Sequence, residues 1–274
     1  MDTTMINKQR IKKSFNVHAR SYDQSAHLQQ KVAGKVVERV RTLGIYPTRI
    51  LDIGTGTGYV ALALKELFPD ATSQACDIAH GMVIVAKTKG ERLFDNHPDF
   101  VSADAEYLPY REEKYDLITS SLAYQWLSDW RCAFKEVLRV LQAGGVFLFA
   151  TLGDRTLFEL RNSYTHSYQE LGNRGTPPLH SFIRRDTLYA LLAEEGFVEV
   201  KVESRCEKEY HGGVKDLLVS LKTIGAQNAS QRYPSGLGKP KVFGKMVDIY
   251  EDRYRDELGI PATYEVLFGF GRKA

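Results

Sequence analysis

Little in this chain points toward a membrane, a disulfide scaffold or a resident metal. No apolar run approaches the roughly 18 residues that cross a bilayer. The opening Met1-Asp2-Thr3-Thr4-Met5-Ile6-Asn7-Lys8 lacks an apolar core followed by a small-residue cleavage site, so no signal peptide is expected. Cysteines number only three (Cys76, Cys132 and Cys206), odd and scattered. That argues against a disulfide framework or a zinc site and for a reducing, cytoplasmic location. HExxH, CxxC and clustered metal ligands are missing from the sequence. The seven histidines, His18, His27, His80 and His97 among them, read as surface or capping residues. A net charge of +3 is too small to imply nucleic-acid binding, although it permits an acidic partner.

What is present is an ordinary soluble composition, 43% hydrophobic and 26% charged, over 274 residues. That length buries a full core, as one large α/β domain or as one domain with a sizeable insertion. Apolar spacing predicts helix over 6–43, with Ile11, Phe15, Leu28, Val32, Val36, Val37 and Val40 as its apolar positions. Strands at 48–53, 72–76, 99–102, 115–121 and 146–151 then alternate with helices at 58–67, 80–89 and 130–141. Ala143-Gly144-Gly145 stops the last of these helices. A polar region, 153–180, runs to Thr176-Pro177-Pro178. A helix at 184–195, a strand at 197–203, a helix at 213–224 and a strand near 264–271 follow. Alternation of this kind is the signature of a mostly parallel sheet with helices on both faces.

The segment Arg49-Ile50-Leu51-Asp52-Ile53-Gly54-Thr55-Gly56-Thr57-Gly58-Tyr59 carries the chemistry. An apolar strand meets alternating glycines and then a helix, an arrangement that lets a ligand lie against the backbone. A dinucleotide fingerprint requires G-x-G-x-x-G, and Tyr59 occupies its third required position. Asp52 also places a negative charge where a pyrophosphate would be repelled. S-adenosylmethionine has no phosphate and carries an ammonium and a sulfonium, so the acid beside the loop attracts it.

Three further segments fall at the C-terminal ends of strands, where an open α/β sheet holds its ligand. Asp77 stands about 20 residues beyond the glycines, placed to accept ribose hydroxyls or to cap the next helix, and both roles can coexist. Asp104, within Ser102-Ala103-Asp104-Ala105-Glu106, either accepts from the adenine amino group, with a following backbone N–H donating to the ring, or simply forms a turn. Ser120-Ser121-Leu122-Ala123-Tyr124-Gln125-Trp126 would line the floor near the reactive methyl, unless Trp126 is core. No Asn/Asp-Pro-Pro-Tyr/Phe run follows the fourth strand, which disfavours amine methylation by that arrangement. No Pro-Cys stands there to attack a pyrimidine ring.

The glycine loop, Asp77, Asp104 and the strand order resemble the class I S-adenosylmethionine methyltransferases. More distinctive segments resemble the malonyl-[acyl-carrier protein] O-methyltransferases of biotin synthesis. They are Ser14-Phe15-Asn16-Val17-His18-Ala19-Arg20-Ser21-Tyr22-Asp23 with Leu28-Gln29, then Ser121 to Trp126, and Thr151-Leu152 with Thr156-Leu157-Phe158-Glu159-Leu160. Leu221-Lys222-Thr223-Ile224-Gly225-Ala226 and Thr263-Tyr264-Glu265-Val266-Leu267-Phe268 continue the match. His80-Gly81 departs from the usual Ser-Pro type of turn, and Gly153-Asp154-Arg155 varies the segment after the fifth strand.

The resemblance implies a Rossmann-like domain with a seven-stranded, mostly parallel sheet. A helical lid would occupy 1–43, a cofactor-binding half 44–152, and an insertion with the substrate-side half 153–274. It implies S-adenosylmethionine, and no metal, at Asp52, Gly54, Gly56, Gly58, Asp77, Ile78, Met82, Asp104, Ala105 and Ser121. The acceptor would be the free carboxylate of malonyl-acyl carrier protein or malonyl-CoA, positioned by Tyr22, Gln125 and Trp126 without a general base. Tyr22 is either a polar contact from the lid or a packed aromatic. Lys222 is either a substrate contact or a surface residue. Arg184-Arg185 and the run Lys239-Pro240-Lys241 to Lys245 either dock an acidic carrier or are solvated faces. Two other readings stay open: a methyltransferase for another small acid or quinone precursor, and a non-catalytic S-adenosylmethionine-binding module.

Overall fold

The computed structural model describes residues 7–173, 181–223 and 240–274. The chain opens with three helices, α1 (Lys8–His18), α2 (Tyr22–Ser25) and α3 (His27–Thr42), where the spacing suggested one. Asn7 caps α1 by accepting the Arg10 N–H, and Ala26 breaks the path with ψ of 45°. The break has a packing cause. Phe15 and Tyr22 pack with Ala19, Ala79 and Met82, whereas Leu28, Val32, Val36 and Val40 join the main core. One straight helix cannot present a single apolar stripe to both partners.

Residues 49–152 follow the expected alternation: β1 (Arg49–Ile53), α4 (Tyr59–Leu67), β2 (Thr72–Asp77), α5 (His80–Leu93), β3 (Asp99–Ser102), β4 (Tyr115–Ser121), α6 (Trp130–Val140) and β5 (Leu141–Leu152). β5 starts five residues before the expected strand. Its register against β4 shifts between the Tyr115–Leu141 and Leu117–Val146 pairs, so the Gly144-Gly145 segment is a bulge rather than a loop. The second half adds α7 (Phe158–Glu170), α8 (Arg185–Glu195), β6 (Phe197–His211), α9 (Val214–Thr223), α10 (Pro240–Tyr254) and β7 (Ile260–Lys273).

The sheet order is β3-β2-β1-β4-β5-β7-β6, with β1 to β5 parallel and β7 antiparallel to both neighbours. Chain order reverses between β1 and β4, which opens a crevice at their C-terminal ends. Helices α3, α4, α7, α9 and α10 cover one face. Helices α6 and α8 cover the other.

Two helices correct the sequence reading. α7 lies in what read as a polar region, because its buried side is itself polar. Glu159 accepts the Thr263 N–H and hydroxyl, and the Ser167 hydroxyl donates to the Val242 carbonyl at 2.6 Å. α10 spans the described part of the basic run 239–245. Its Val242, Met246, Ile249 and Tyr250 are buried, and Lys241 and Lys245 lie on the outside. Thr176-Pro177-Pro178, Ile224-Gly225-Ala226 and Lys239 lie outside the described residues.

Candidate active site

β1 ends in a loop whose three glycines all take left-handed dihedrals: φ is +67° at Gly54, +55° at Gly56 and +89° at Gly58. Their surroundings differ. A Cβ on Gly54 would come within 2.2 Å of the Ala123 Cβ, so the loop after β4 closes directly onto it. One on Gly58 would meet Ala86 at 3.0 Å, so this glycine serves the packing of α4 on α5 and does not line the cavity. At Gly56 no atom of the described residues lies within 4 Å of that position.

The cavity above the loop takes in about 1070 Å³ of space, part of it open to solvent. Its floor includes Asp52, Gly54, Gly56, Asp77, Ile78, Met82, Asp104, Ala105 and Ser121. Nine of the ten residues expected to hold the cofactor therefore converge, with Gly58 behind the wall. α1, α2 and α3 form the roof through Lys8, Ile11, Phe15, Tyr22, Asp23, Gln29 and Gln30. Trp126 also lines the cavity. The Phe15 ring stands edge-on between Tyr22 (6.2 Å between centroids) and Trp126 (6.0 Å), making an aromatic wall.

Three carboxylates set the electrostatics. Asp52 is 1% exposed and accepts the Thr119 hydroxyl at 2.8 Å. Burial pushes its carboxyl up to about 7, and the neighbouring Asp77 pushes the same way. Asp77 accepts the N–H groups of Gly56 (2.9 Å) and Ala79 (2.8 Å), tying the glycine loop to the end of β2. The N-cap position of α5 belongs to Ala79, so Asp77 is a loop brace rather than a cap. Burial raises its carboxyl above the ordinary carboxylate range. Two of its roughly four acceptor positions remain open for ribose hydroxyls. Asp104 forms the expected turn by accepting the Glu106 N–H at 3.0 Å, and it also faces the cavity.

The roof is latched to the floor at three points. Lys8 bridges Asp104 (2.6 Å) and Glu106 (2.7 Å). Asn16 accepts the Gly81 N–H at 2.6 Å. Asp23 accepts the Thr57 hydroxyl at 2.6 Å and pairs with Lys89. Lys8, Asn16 and Asp23 escaped the sequence reading, because each acts across more than 30 residues of chain. The Tyr22 hydroxyl is held protonated by burial first and by Asp77 and Asp23 second, so it is a donor.

Four expected substrate residues stand elsewhere. Gln125 is buried but outside the cavity lining: its amide N–H donates to the Leu122 carbonyl at 2.6 Å, and its oxygen accepts from Thr151. It braces the loop after β4 against β5. Lys222 is exposed on α9, away from the cavity. Arg184 and Arg185 line a second, shallower concavity beyond the end of β5, with Asp154, Arg155 and Glu265.

These residues fit S-adenosylmethionine. One buried and one half-buried acid, Asp52 and Asp77, sit beside a loop free of steric bulk at Gly56, and the buried Ser121 hydroxyl has no partner among the described residues. An unpaired buried hydroxyl facing a cavity is a donor awaiting a ligand. Among the described residues, no group of three or more His, Cys, Asp or Glu is placed to hold a metal ion.

Comparison with known proteins agrees with this geometry. A methyltransferase domain family model matches residues 51–149. A malonyl-[acyl-carrier protein] O-methyltransferase from Geobacter sulfurreducens is 38% identical, covering 98% of this chain and 100% of that one. One from Priestia megaterium is 34% identical over 96% and 97%. A biotin biosynthesis bifunctional protein from Saccharophagus degradans is 35% identical, covering 96% of this chain and 46% of its own length. Among solved structures, the YcgJ protein of Bacillus subtilis superposes with a TM-score of 0.61 at 19% identity, covering 87% of this chain and 97% of that one. A Haemonchus contortus phosphoethanolamine N-methyltransferase in complex with S-adenosyl-L-methionine superposes at 0.56 and 17% identity, covering 88% and 52%. The structural likenesses establish the fold; the full-length identities establish that this chain belongs to the malonyl-[acyl-carrier protein] O-methyltransferase family of class I S-adenosylmethionine-dependent enzymes.

Proposed function

We propose that this chain transfers the methyl group of S-adenosylmethionine to the free carboxylate of a malonyl thioester, either malonyl-acyl carrier protein or malonyl-CoA. The product is a methyl ester that primes pimeloyl and biotin synthesis. The observation that carries this reading is the cavity, with its acid-rimmed glycine floor under an aromatic roof, in a chain that matches proteins named for this reaction from end to end.

When bound, S-adenosylmethionine supplies a methyl carbon on sulfonium, which the carboxylate oxygen takes as the carbon–sulfur bond breaks and its electron pair goes to sulfur. Asp52 and the floor around it favour a cationic ligand, and Asp77 and Asp104 offer acceptors for ribose hydroxyls and an amino group. The acceptor carboxyl has a pKa near 4, so it is ionised at neutral pH and needs no base. What remains for the protein is alignment and dryness. Phe15, Tyr22 and Trp126 hold the reacting groups in line, an effect worth roughly 7–11 kcal/mol in well-oriented systems. The three latches keep the roof closed so that water does not compete. Opposite charges cancel as the methyl moves, which a dry cavity favours.

The decisive experiment incubates the chain with methyl-labelled S-adenosylmethionine and malonyl-carrier protein, then looks for a base-labile labelled ester. Its formation supports the reading. Absence of label sinks it; label on free small acids alone supports an enzyme for another acid, and cofactor binding without turnover supports a binding module.

A further inference from the structure

We propose that the second concavity, formed by Asp154, Arg155, Arg184, Arg185, Asp186, Ser204 and Glu265, is an anion subsite for the phosphate at the far end of the substrate's thioester arm. This rests on the reaction proposed above and adds the place where the arm is anchored.

Position comes first. Ser121, on the cavity floor, ends β4 opposite Ala150 of β5. Gly153, Asp154 and Arg155 follow β5 directly, and Leu152 pairs with Val266 of β7, next to Glu265. Neighbouring strands lie about 4.8 Å apart, so Glu265 stands roughly 10 Å across the sheet from the end of β4. Carrier-bound and coenzyme A thioesters share an arm with two amide linkages between sulfur and phosphate, which is longer than this gap. A malonyl group in the main cavity and its phosphate in the concavity are therefore compatible.

Charge comes next. Arg185 pairs with Asp186 at 3.0 Å. Arg155 and Arg184 are exposed and have no ion-pair partner among the described residues. Of the three acids of the concavity, Asp186 is the one taken up by Arg185. Glu265 accepts the Arg155 N–H at 2.9 Å and the Ser204 hydroxyl at 2.6 Å. Burial and Glu265 beside it raise the Asp154 carboxyl, while Arg161 and Arg184 act to lower it. Arg155 and Arg184, both exposed, offer guanidinium forks of a shape suited to phosphate oxygens. The turn is held in shape by Gly153, where a Cβ would sit 2.5 Å from the Glu265 carboxylate.

Calorimetric titration of the full chain with phosphopantetheine, and with pantetheine lacking only the phosphate, tests the subsite. Phosphopantetheine should bind about tenfold tighter, the worth of one charge-assisted contact. The Arg155→Ala/Arg184→Ala double variant should erase that difference with an unaltered Tm. Equal affinity of the two compounds for the unaltered chain overturns the proposal. In turnover, KM for malonyl-CoA should lie about tenfold below that for malonyl-N-acetylcysteamine, and the double variant should bring the two together. A variant slowed only on carrier-bound substrate, with malonyl-CoA untouched, would mean that the arginines read the carrier's own surface, which also overturns the subsite. If no malonyl thioester is methylated, the reaction is wrong, and the titration still decides the subsite.

Discussion

At the scale of single residues, Asp52 is the group whose charge state matters most. A carboxyl raised to about 7 by burial holds a proton in the folded chain that the unfolded chain releases near 4. Its stabilising contribution is thus fully present below pH 4 and is lost as pH rises through about 7. A cationic ligand reverses the preference, since it favours the ionised form. Affinity for S-adenosylmethionine should therefore rise about tenfold between pH 6 and pH 8, following the ionised fraction. Asp52→Asn should flatten that dependence; a wild-type slope surviving in the variant would assign it to another group. Tyr22 offers a second test, because its hydroxyl is held protonated under the roof. Tyr22→Phe keeps the ring against Phe15 and removes one donor. Loss of about 1 kcal/mol, or roughly fivefold in kcat/KM or cofactor affinity, is expected. Full retention of both would leave Tyr22 as packing alone.

Among elements, the roof helix α1 and the start of α5 form one mechanical unit. Gly81 packs directly against α1. A Cβ there would lie 3.1 Å from two Asn16 oxygens, one of which accepts the Gly81 N–H. Glycine in a helix interior costs about 1 kcal/mol relative to alanine and less in the first turn, where Gly81 stands, so Gly81→Ala should modestly favour α5 itself. The same methyl crowds α1. Thermal stability should hold or rise, while cofactor affinity falls severalfold and amide exchange over residues 8–18 increases. Unchanged exchange and affinity would show that the roof absorbs the methyl. This latch was invisible in the sequence because it joins positions 65 residues apart. Legible features were those that repeat locally: the β1 glycine turn, the strand-helix alternation and the aspartates ending β2 and β3. α7 was missed because its buried side carries Glu159, Ser163 and Ser167, which look solvated until Thr263 and Val242 are placed against them. Gln125 was misplaced for the converse reason, since a polar residue beside a site reads the same whether it faces ligand or braces a loop.

Over the whole molecule, the late-arriving β7 decides whether the two halves hold together. It inserts antiparallel between β5 and β6 and is buried over most of its length. On its α6/α8 side lies a dense group of rings: Phe147 and Phe149 stack at 4.5 Å, with Tyr124, Phe134 and Phe197 around them. Room for those rings comes from β7 itself. Gly269 pairs directly with Phe149, and a Cβ on it would lie 2.4 Å from two ring carbons. Strand propensity disfavours glycine here, so packing decides, and the ring cannot move without disturbing its stacked partners. Gly269→Ala should therefore destabilise by about 1–3 kcal/mol, the usual range for overpacking. For a chain of this size that is a Tm lower by several degrees. Cofactor affinity measured well below that Tm should stay at the wild-type value, because the glycine loop and its acids belong to β1 and β2 at the other end of the sheet. A loss of affinity in step with the loss of stability would mean that the ring cluster positions the site through β4 and β5, and that the sheet acts as one body rather than as a scaffold with separable ends.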